Sequence, residues 1–313
     1  MADPLSLRRI GVYDVFDRPF PPAVLRDELA PRLDPEVVVA DESTLADCDA
    51  VVTLKHFDEF VDSVKWVHEI RSGYDDYPLG EYERAGVTMT NSTGLAADMV
   101  SETAIGLVLS LARGLHSYRD QQGEREWGRV PWERPFVVTR SSVCVVGMGQ
   151  IGSSVATRAG ALGMDVTGVD IRPVSALNVD RVYDVNRLQE AIEDARFVVL
   201  TMPLTEATRG LVGEEELAAM RDDAFLVNTS RGAIVDQDAL VAALETGEIA
   251  GAALDVFEEE PLPDDSPLWE MDEVVVTPHM AGQANHYHEL VADLVETNVN
   301  RLSRGEEPWN RVV

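Results

Sequence analysis

Three side chains that can bind an anion or move a proton follow three strand-like runs in the last part of the chain. Arg231 lies in NTSRG, Glu260 in LDVFEEEPLP and His279 in VVVTPHMAG, each at or just beyond the end of its run. Ligands of open parallel sheets bind beyond the carboxyl ends of the strands, so we expect the three to converge on one site. An arginine fork matches a carboxylate, and an imidazole exchanges protons near neutral pH. The set indicates acid–base chemistry on a small carboxylate-bearing molecule.

A glycine-rich loop upstream predicts a dinucleotide site. Gly147, Gly149 and Gly152 form a G-x-G-x-x-G that follows a strand and opens an Ala-rich helix, and a second strand ends at Asp170. In this context the glycines let the backbone approach a pyrophosphate and the helix N-terminus offers free N–H groups. The carboxylate of Asp170 can accept from the adenosine ribose hydroxyls.

The sequence carries signals for both nicotinamide dinucleotides. Asp170 favours NAD because a carboxylate repels a ribose 2′-phosphate, whereas Arg172 lies two residues on and can pair with that phosphate. If Arg172 turns toward the phosphate and Asp170 turns aside, NADP is accepted. We therefore predict dual use of NAD and NADP, with the ranking open.

Reduction of a 2-oxo acid needs a cation for the carboxylate, a proton donor at the ketone oxygen and a hydride held at the carbon. Arg231 suits the first role and also polarises the carbonyl, and His279 suits the second. Glu260 can hold the far ring nitrogen, which fixes the tautomer and favours the protonated ring. The neighbouring Glu258 and Glu259 are expected to be solvated surface.

The pattern of elements predicts two parallel α/β sheets in two domains. Short β-branched runs alternate with helix-length stretches, and a helix-like stretch at 95–115 separates the first set from the second. Its second half is apolar nearly all round, which fits a domain connector packed in a subunit interface and a simple core helix equally well. Strands are predicted at 10–13, 37–39, 50–54, 66–70, 87–90, 143–146, 166–169, 198–201, 225–228, 251–255 and 274–277.

The order and spacing of these motifs resemble the D-isomer-specific 2-hydroxyacid dehydrogenases. PLT-x-x-T at 203–208, NTSRG at 228–232, LDVFEEEPLP at 254–263 and TPH at 277–279 carry the resemblance. The glycine loop, RSGYDD at 71–76 and the region 91–102 extend it over most of the chain. It implies an α/β fold of two Rossmann-like, doubly wound parallel-sheet domains with the active-site cleft between them. The flavodoxin-like substrate-binding domain would be 1–94 and 282–313, and the dinucleotide-binding Rossmann domain 95–281.

The resemblance also implies roles for individual residues. Arg231, Glu260 and His279 would be catalytic, and backbone amides around Ser72 and Gly73 would join Arg231 and His279 in binding the substrate. Asp255 would meet the nicotinamide carboxamide. No metal is implied. The full set of dinucleotide contacts would be Gly147, Gly149, Gln150, Ile151, Gly152, Asp170, Ile171, Arg172, Met202, Pro203, Thr208, Thr229, Ser230, Arg231, Asp255, His279 and Gly282.

Three other activities share this fold. Formate dehydrogenases replace the family glutamate with glutamine, so Glu260 speaks against that activity. Many phosphoglycerate dehydrogenases carry an added C-terminal domain, whereas this sequence stops at Val313. Transcriptional corepressors keep the same triad, so a dinucleotide-sensing scaffold stays open.

The substrate side chain is open as well, because Tyr74, Tyr77 and the SET at 101–103 depart from the common family pattern. Glyoxylate, hydroxypyruvate, pyruvate and longer 2-oxo acids all fit. Possible wall residues are Lys55, His56, Phe57, Tyr74, Trp132 and Tyr287.

The composition is strongly acidic, with 26 basic and 56 acidic residues and a formal net charge of −30. Only Lys55 and Lys65 are lysines. At molar salt the Debye length shrinks to about 3 Å, which screens self-repulsion while carboxylates keep the surface hydrated. The composition therefore predicts a protein from a salt-accumulating halophile. It argues against nucleic acid and anionic membrane as partners, since both need a basic footprint.

The remaining signals concern location and assembly. The apolar run 104–112 is far shorter than the roughly 20 residues of a membrane span, and the start MADPLSLRR lacks a signal-peptide core. We expect a cytoplasmic protein and, by resemblance, a homodimer. Cys48 and Cys144 show no disulfide or zinc spacing, and Cys144 is expected in the core.

Overall fold

The computed structural model describes residues 4–14, 19–172, 174 and 178–313. The chain forms two compact units, one made of Met1–Ala96 with Gln283–Val313 and the other of Ala97–Gly282. The first unit thus contains both chain ends, and the second is a single continuous segment. Among the described residues, no helix has the length and apolarity needed to cross a bilayer.

Strands and helices alternate along both units. The strands are β1 Arg9–Tyr13, β2 Glu36–Ala40, β3 Ala50–Thr53, β4 Trp66–Glu69, β5 Thr88–Asn91, β6 Ser142–Val146, β7 Asp165–Val169, β8 Arg181–Tyr183, β9 Phe197–Leu200, β10 Phe225–Asn228, β11 Gly251–Leu254 and β12 Val274–Val276. The α-helices are α1 Pro22–Leu29, α2 Phe60–Ser63, α3 Leu79–Ala85, α4 Ala97–Arg113, α5 Leu115–Glu124, α6 Gln150–Ala161, α7 Leu188–Ile192, α8 Glu214–Ala219, α9 Gln237–Thr246 and α10 Tyr287–Ser303.

The first unit has a five-stranded sheet in the order β2-β1-β3-β4-β5, with every pairing parallel. This is the flavodoxin-like order. The residues of β3 and β4 are buried throughout; β3 therefore reads as a short apolar run, whereas β4 ends on the buried polar residues His68 and Glu69. The C-terminal helix α10 returns to this unit and packs against α1.

The second unit has a seven-stranded parallel sheet in the order β12-β11-β10-β9-β6-β7-β8. The order reverses between β6 and β9, and the glycine loop follows β6. A reversal of this kind is where doubly wound sheets bind their ligands. Together the two sheets confirm the predicted fold class of two parallel α/β domains.

The sheet of the second unit is covered on both faces by apolar side chains. Alternate residues of the same strand belong to different core clusters: Val143 and Val145 face one cluster, Cys144 and Val146 the other. Because both faces are covered, the strands are continuously apolar, and this is the signal that made them visible in the sequence. Cys144 is a buried free thiol, as predicted, and so is Cys48.

The helix-like stretch at 95–115 is α4, which ends one residue before Gly114. That glycine has a φ of 62°, and α5 begins directly after it. Leu107, Val108 and Leu111 of α4 are buried in the core of the second unit, where the helix packs against α6. On this face, α4 is a core helix.

One strand has no counterpart among the predicted ones. The short β8 pairs with β7 at the edge of the sheet, and its Arg181 is exposed while Val182 and Tyr183 are only partly buried. A three-residue strand at the edge of a sheet is only partly buried, so its sequence contains no apolar run. The sequence pattern therefore did not predict it.

Candidate active site

The three predicted catalytic side chains all belong to the second unit and follow adjacent strands. Arg231 comes after β10, Glu260 after β11 and His279 after β12. These strands lie side by side at one end of the parallel sheet, so their carboxyl ends meet at one edge. The shared edge is the reason that residues 19 to 48 positions apart in sequence can gather there.

His279 and Glu260 are in direct contact. His279 Nδ1 and Glu260 Oε2 are 2.7 Å apart, and Glu260 Oε1 accepts from the Phe257 amide at 3.1 Å. Within the described part of the chain, Nε2 of His279 has no hydrogen-bond partner. Both side chains are about one-third exposed, at 38% for His279 and 35% for Glu260.

The environment of Glu260 favours its ionised form. Burial on its own would raise the pKa of this carboxyl, but the hydrogen bond with His279, assisted by the Phe257 amide and the charge of Arg231, holds the pKa below its ordinary value. An ionised Glu260 accepts a hydrogen bond from Nδ1–H of the ring, which leaves Nε2 as the ring nitrogen available for proton exchange.

The backbone at His279 is unusual and is held in place by Asp255. His279 has a φ of 50°, in the left-handed region that costs a non-glycine residue about 1 kcal/mol. Its amide donates to the Asp255 carbonyl at 2.8 Å. Asp255 Oδ1 accepts from Thr277 Oγ1 at 2.6 Å and the Met280 amide at 2.9 Å, and Oδ2 accepts from the Ala281 amide at 2.9 Å. The carboxylate thus fixes the turn that presents the imidazole.

Sequence reasoning missed this role of Asp255. The residue is 1% exposed, and its carboxylate is aimed at the TPHMA turn. The signal was available, since a carboxylate at the end of an apolar strand must find donors nearby. Contact with a nicotinamide carboxamide stays a prediction.

Arg231 is placed by the tight turn that follows β10. The Asn228 side chain accepts from the Ser230 amide at 3.0 Å and hydroxyl at 2.7 Å and donates to the Arg231 carbonyl at 2.9 Å. A Cβ on Gly232 would lie 1.8 Å from the Phe257 carbonyl carbon, so this turn packs on the segment that leads to Glu260. The guanidinium donates from Nη1 to the Ser230 carbonyl at 2.8 Å.

The glycine loop after β6 has the shape of a phosphate cradle. Gly147 has a φ of 97°, and a Cβ there would lie 2.8 Å from the Met202 nitrogen. A Cβ on Gly152 would lie 1.9 Å from the Gly147 oxygen, whereas one on Gly149 would meet nothing within 4 Å. Gly149 precedes α6 without a side-chain cap, so the first amides of the helix stay free for an anion. The loop fits a dinucleotide pyrophosphate.

Asp170, at the end of β7, is tied to this loop. Its Oδ2 accepts from the Met148 amide at 2.9 Å, and its Oδ1 accepts from the Arg172 amide at 2.9 Å and Nε at 3.1 Å. Burial would raise the pKa of Asp170, but the Arg172 guanidinium and these amides lower it. Arg172 therefore lies against Asp170 in this structure. The side chain of Ile171, between them, is 76% exposed.

The other predicted dinucleotide contacts differ in burial and in their hydrogen bonds. Thr208 Oγ1 donates to the Pro203 carbonyl at 2.7 Å. Met202 and Thr229 are each 8% exposed, and the Thr229 hydroxyl is buried without a partner in the described chain. An orphaned hydroxyl beside β10 is the kind of group that a bound ligand satisfies. Gln150 and Ile151 open α6, and Gly282 ends the second unit.

Ser72 and Gly73 lie in the first unit, just after β4. Three successive carbonyl groups of this loop accept hydrogen bonds: Ile70 from the Tyr287 hydroxyl at 2.5 Å, Arg71 from the Ser92 amide at 2.9 Å and Ser72 from Asn91 Nδ2 at 2.7 Å. In the described chain, the amides of Ser72 and Gly73 donate to no protein acceptor. The loop thus turns its carbonyls inward and leaves two N–H groups for an anion.

Three of the predicted wall residues differ in how far they are exposed. Tyr287 is 3% exposed, and its hydroxyl donates a hydrogen bond to the Ile70 carbonyl. Trp132 is 85% exposed. Tyr74, next to Gly73, is 41% exposed.

Comparison with known proteins identifies the family of this chain. Residues 105–281 match the family model described as "D-isomer specific 2-hydroxyacid dehydrogenase, NAD binding domain". A glyoxylate reductase of Korarchaeum cryptofilum is 36% identical over 276 residues, covering 85% of this chain and 83% of that protein. The chain belongs to the D-isomer-specific 2-hydroxyacid dehydrogenase family. As a member of this family, it is an oxidoreductase with a nicotinamide cofactor.

Two further family members extend the similarity over nearly the whole chain. A 2-hydroxyacid dehydrogenase from Xanthobacter autotrophicus Py2, solved in complex with NADPH and MES, has a TM-score of 0.82 and 29% identity. The match covers 99% of this chain and 98% of that one. A D-3-phosphoglycerate dehydrogenase of Methanocaldococcus jannaschii is 30% identical over 100% of this chain, which spans 58% of that protein.

Proposed function

We propose that this protein reduces 2-oxo acids to D-2-hydroxy acids and catalyses the reverse oxidation, with His279 as the acid and base. The observation that carries the proposal is the hydrogen bond between His279 Nδ1 and Glu260 Oε2. It orients the ring and leaves Nε2 to give a proton to the ketone oxygen during reduction, or to remove one from the hydroxyl during oxidation. An ionised Glu260 stabilises the imidazolium form that gives the proton.

Arg231 binds the substrate carboxylate through its guanidinium and polarises the adjacent carbonyl. In the first unit, the amides of Ser72 and Gly73 have N–H groups that are suited to a substrate carboxylate. A reduced nicotinamide, when bound, supplies the hydride. The first unit is thus the substrate-binding domain and the second the dinucleotide-binding domain.

The proposed substrates are small 2-oxo acids. The similarity to the glyoxylate reductase of Korarchaeum cryptofilum makes glyoxylate the first substrate to test. Hydroxypyruvate, pyruvate and longer 2-oxo acids share the carboxylate and ketone that these residues would recognise.

For the cofactor, the proposal is dual use of NAD and NADP. The Asp170 carboxylate suits the ribose hydroxyls of NAD, and Arg172, which now lies on Asp170, can pair with the 2′-phosphate of NADP. The NADPH in the relative from Xanthobacter autotrophicus supports the second use. Replacing Arg172→Ala should weaken NADPH binding severalfold and leave NADH binding unchanged, measured by nucleotide fluorescence. Equal small effects on both would contradict dual use through Arg172.

The catalytic assignment is tested by His279→Ala, with His288→Ala as a matched control. His288 lies in α10 with its ring against Phe20 and plays no part in the proposed site. We expect His279→Ala to lose at least about a hundredfold in kcat with glyoxylate while still binding NADH, since general acid catalysis contributes on that order. His288→Ala should keep wild-type turnover. A His279→Ala enzyme with near-normal kcat would refute the role of His279.

The proposal extends to assembly and environment. Large apolar side chains are exposed along the segment 115–137, among them Leu115 at 54%, Trp127 at 104% and Trp132 at 85%. Such a surface is expected to be covered, and a second copy of the chain is the partner we propose. The acidic, lysine-poor composition supports a cytoplasm of high salt as the working environment.

A further inference from the structure

A buried carboxylate lies beneath the loop that we assign to the substrate carboxylate. Glu69 is the last residue of β4, pairs with Thr53 of β3 and Asn91 of β5, and has no exposed surface. A charged side chain without exposed surface is costly unless several donors satisfy it. The donors around Glu69 all come from the loop that follows.

The hydrogen bonds of Glu69 join the two ends of that loop. Its Oε1 accepts from the Arg71 amide at 2.9 Å and from Arg71 Nε at 3.1 Å, and its Oε2 accepts from the Tyr77 hydroxyl. Arg71 and Tyr77 stand on either side of residues 72–76. One carboxylate therefore closes a ring that contains Ser72 and Gly73.

The ring is anchored further through Arg71. Nη2 of Arg71 donates to the Leu54 carbonyl at 2.7 Å, and the guanidinium also lies 3.7 Å from Asp76 Oδ2. Burial raises the pKa of Glu69, an effect that the Arg71 guanidinium and the Tyr77 hydroxyl oppose. The charges of the Arg71 guanidinium and the Glu69 carboxylate offset each other. The groups of this loop that are left to bind an anion are therefore the amides of Ser72 and Gly73.

We propose that Glu69, Arg71 and Tyr77 are positioning residues that hold the amides of Ser72 and Gly73 in place for the carboxylate of the substrate. This inference rests on the proposed function of the loop. The network acts on the end of the substrate that every 2-oxo acid shares. It therefore sets how tightly the carboxylate binds and leaves the choice of side chain to other residues.

The test is Tyr77→Phe, which removes one hydroxyl from a buried ring, together with Glu69→Gln. The probes are glyoxylate, pyruvate and 2-oxohexanoate, with oxamate as an unreactive carboxylate inhibitor. We expect KM and the oxamate inhibition constant to rise roughly fivefold for Tyr77→Phe and roughly tenfold for Glu69→Gln, since each loses a hydrogen bond to a charged group. The factor should be the same for all three substrates, with kcat within about twofold and NADH affinity unchanged.

The matched control is Tyr82→Phe. Tyr82 is another buried tyrosine of the same unit, with its ring centroid 6.1 Å from that of Tyr77, but its hydroxyl is paired with His56 Nδ1 at 2.9 Å instead of with Glu69. Tyr82→Phe should leave all of these constants unchanged. If Tyr77→Phe and Tyr82→Phe behave alike, or if the KM change depends on the side chain of the substrate, the positioning role is wrong.

The two proposals fail in different ways. If the wild-type protein reduces no 2-oxo acid, the proposed function itself is refuted. If the wild type is active and Tyr77→Phe is indistinguishable from it, only the positioning role is refuted. A Glu69→Gln protein that does not fold leaves Tyr77→Phe to decide.

Discussion

The chemistry of single residues centres on how the imidazole of His279 is held. Its Nδ1 meets Glu260, and its backbone adopts a left-handed conformation that Asp255 fixes through three donors of the same turn. The two carboxylates therefore have different roles: the buried Asp255 holds the backbone, and Glu260, about one-third exposed, orients the ring. Replacement of either should affect activity for a different reason.

Replacing Glu260→Gln should slow the reduction. The neutral amide is a weaker partner for the ring than an ionised carboxylate, so the imidazole is held less firmly in the orientation that proton transfer needs. At one fixed pH near neutrality, kcat/KM with glyoxylate should drop on the order of tenfold, as measured by steady-state kinetics. Glu259→Gln, an exposed neighbour, is the control and should match the wild type; wild-type kcat/KM in Glu260→Gln would contradict the pairing.

The same pair should contribute to stability over a defined pH range. Because the pKa of Glu260 lies below its ordinary value of 4.5, the folded state favours the ionised form. Its contribution is therefore present above that ordinary value and is lost as pH falls through the lowered pKa. The difference in melting temperature between wild type and Glu260→Gln should be small, since the pair is partly exposed, and should vanish in acid.

Site residues that belong to short sequence motifs could be predicted, whereas residues that act only through contacts made on folding could not. The glycine loop and the residues after β10, β11 and β12 were found because short motifs carry them. Glu69 was missed, and so was the part that Asp255 plays in holding the turn, because each acts through donors that only the folded loop brings near. Glu258 was expected to be solvated surface and is exposed, yet its Oε1 also accepts from the Gln237 amide at the start of α9.

Among the elements, strands were predicted better than helix ends. A strand covered on both faces is apolar along its whole length, so its position is visible without knowledge of its partners. The edge strand β8 lacks that cover, and the end of α4 depends on the conformation of Gly114. The sequence thus revealed the interior of each sheet more reliably than its margins.

The glycine loop as an element is tested by comparing two alanine substitutions. Gly152→Ala places a methyl 1.9 Å from the Gly147 oxygen, so the strand and helix must move apart and stability should fall by about 2 kcal/mol or more. Gly149→Ala meets nothing within 4 Å at a φ of −73°, so the protein should fold normally. Its methyl group should instead occupy the space above α6 and weaken NADH binding at least about tenfold. Thermal melting and nucleotide fluorescence separate the two; normal NADH binding by Gly149→Ala would contradict the cradle.

At the scale of the whole molecule, the net charge of −30 should make stability depend on salt. The Debye length grows from about 3 Å at 1 M to about 10 Å at 0.1 M, so repulsion among the carboxylates strengthens as salt is removed. We expect the melting temperature to fall by roughly 10 °C between 3 M and 0.1 M KCl, which corresponds to about 3 kcal/mol. Full activity and an unchanged melting temperature at low salt would contradict adaptation to a salty cytoplasm.

The proposed homodimer is tested on the exposed apolar segment 115–137. Trp127→Ser removes the most exposed tryptophan of that segment, and Trp269→Ser removes one that is 52% exposed elsewhere in the second unit. Sedimentation in molar salt should show a dimer for the wild type and Trp269→Ser and a weakened dimer for Trp127→Ser, because buried aromatic residues dominate interface energies. A monomeric wild type would refute the dimer.

The identity of the reaction product tests the proposed reduction of 2-oxo acids to D-2-hydroxy acids. The wild-type protein in molar salt is mixed with pyruvate or 2-oxohexanoate and with NADH or NADPH, oxidation is followed at 340 nm, and the product is resolved by chiral chromatography. We predict nucleotide oxidation and a single product, the D-2-hydroxy acid. An L product, or bound dinucleotide that no 2-oxo acid including glyoxylate oxidises, would contradict the reaction that Arg231, Glu260 and His279 are proposed to catalyse.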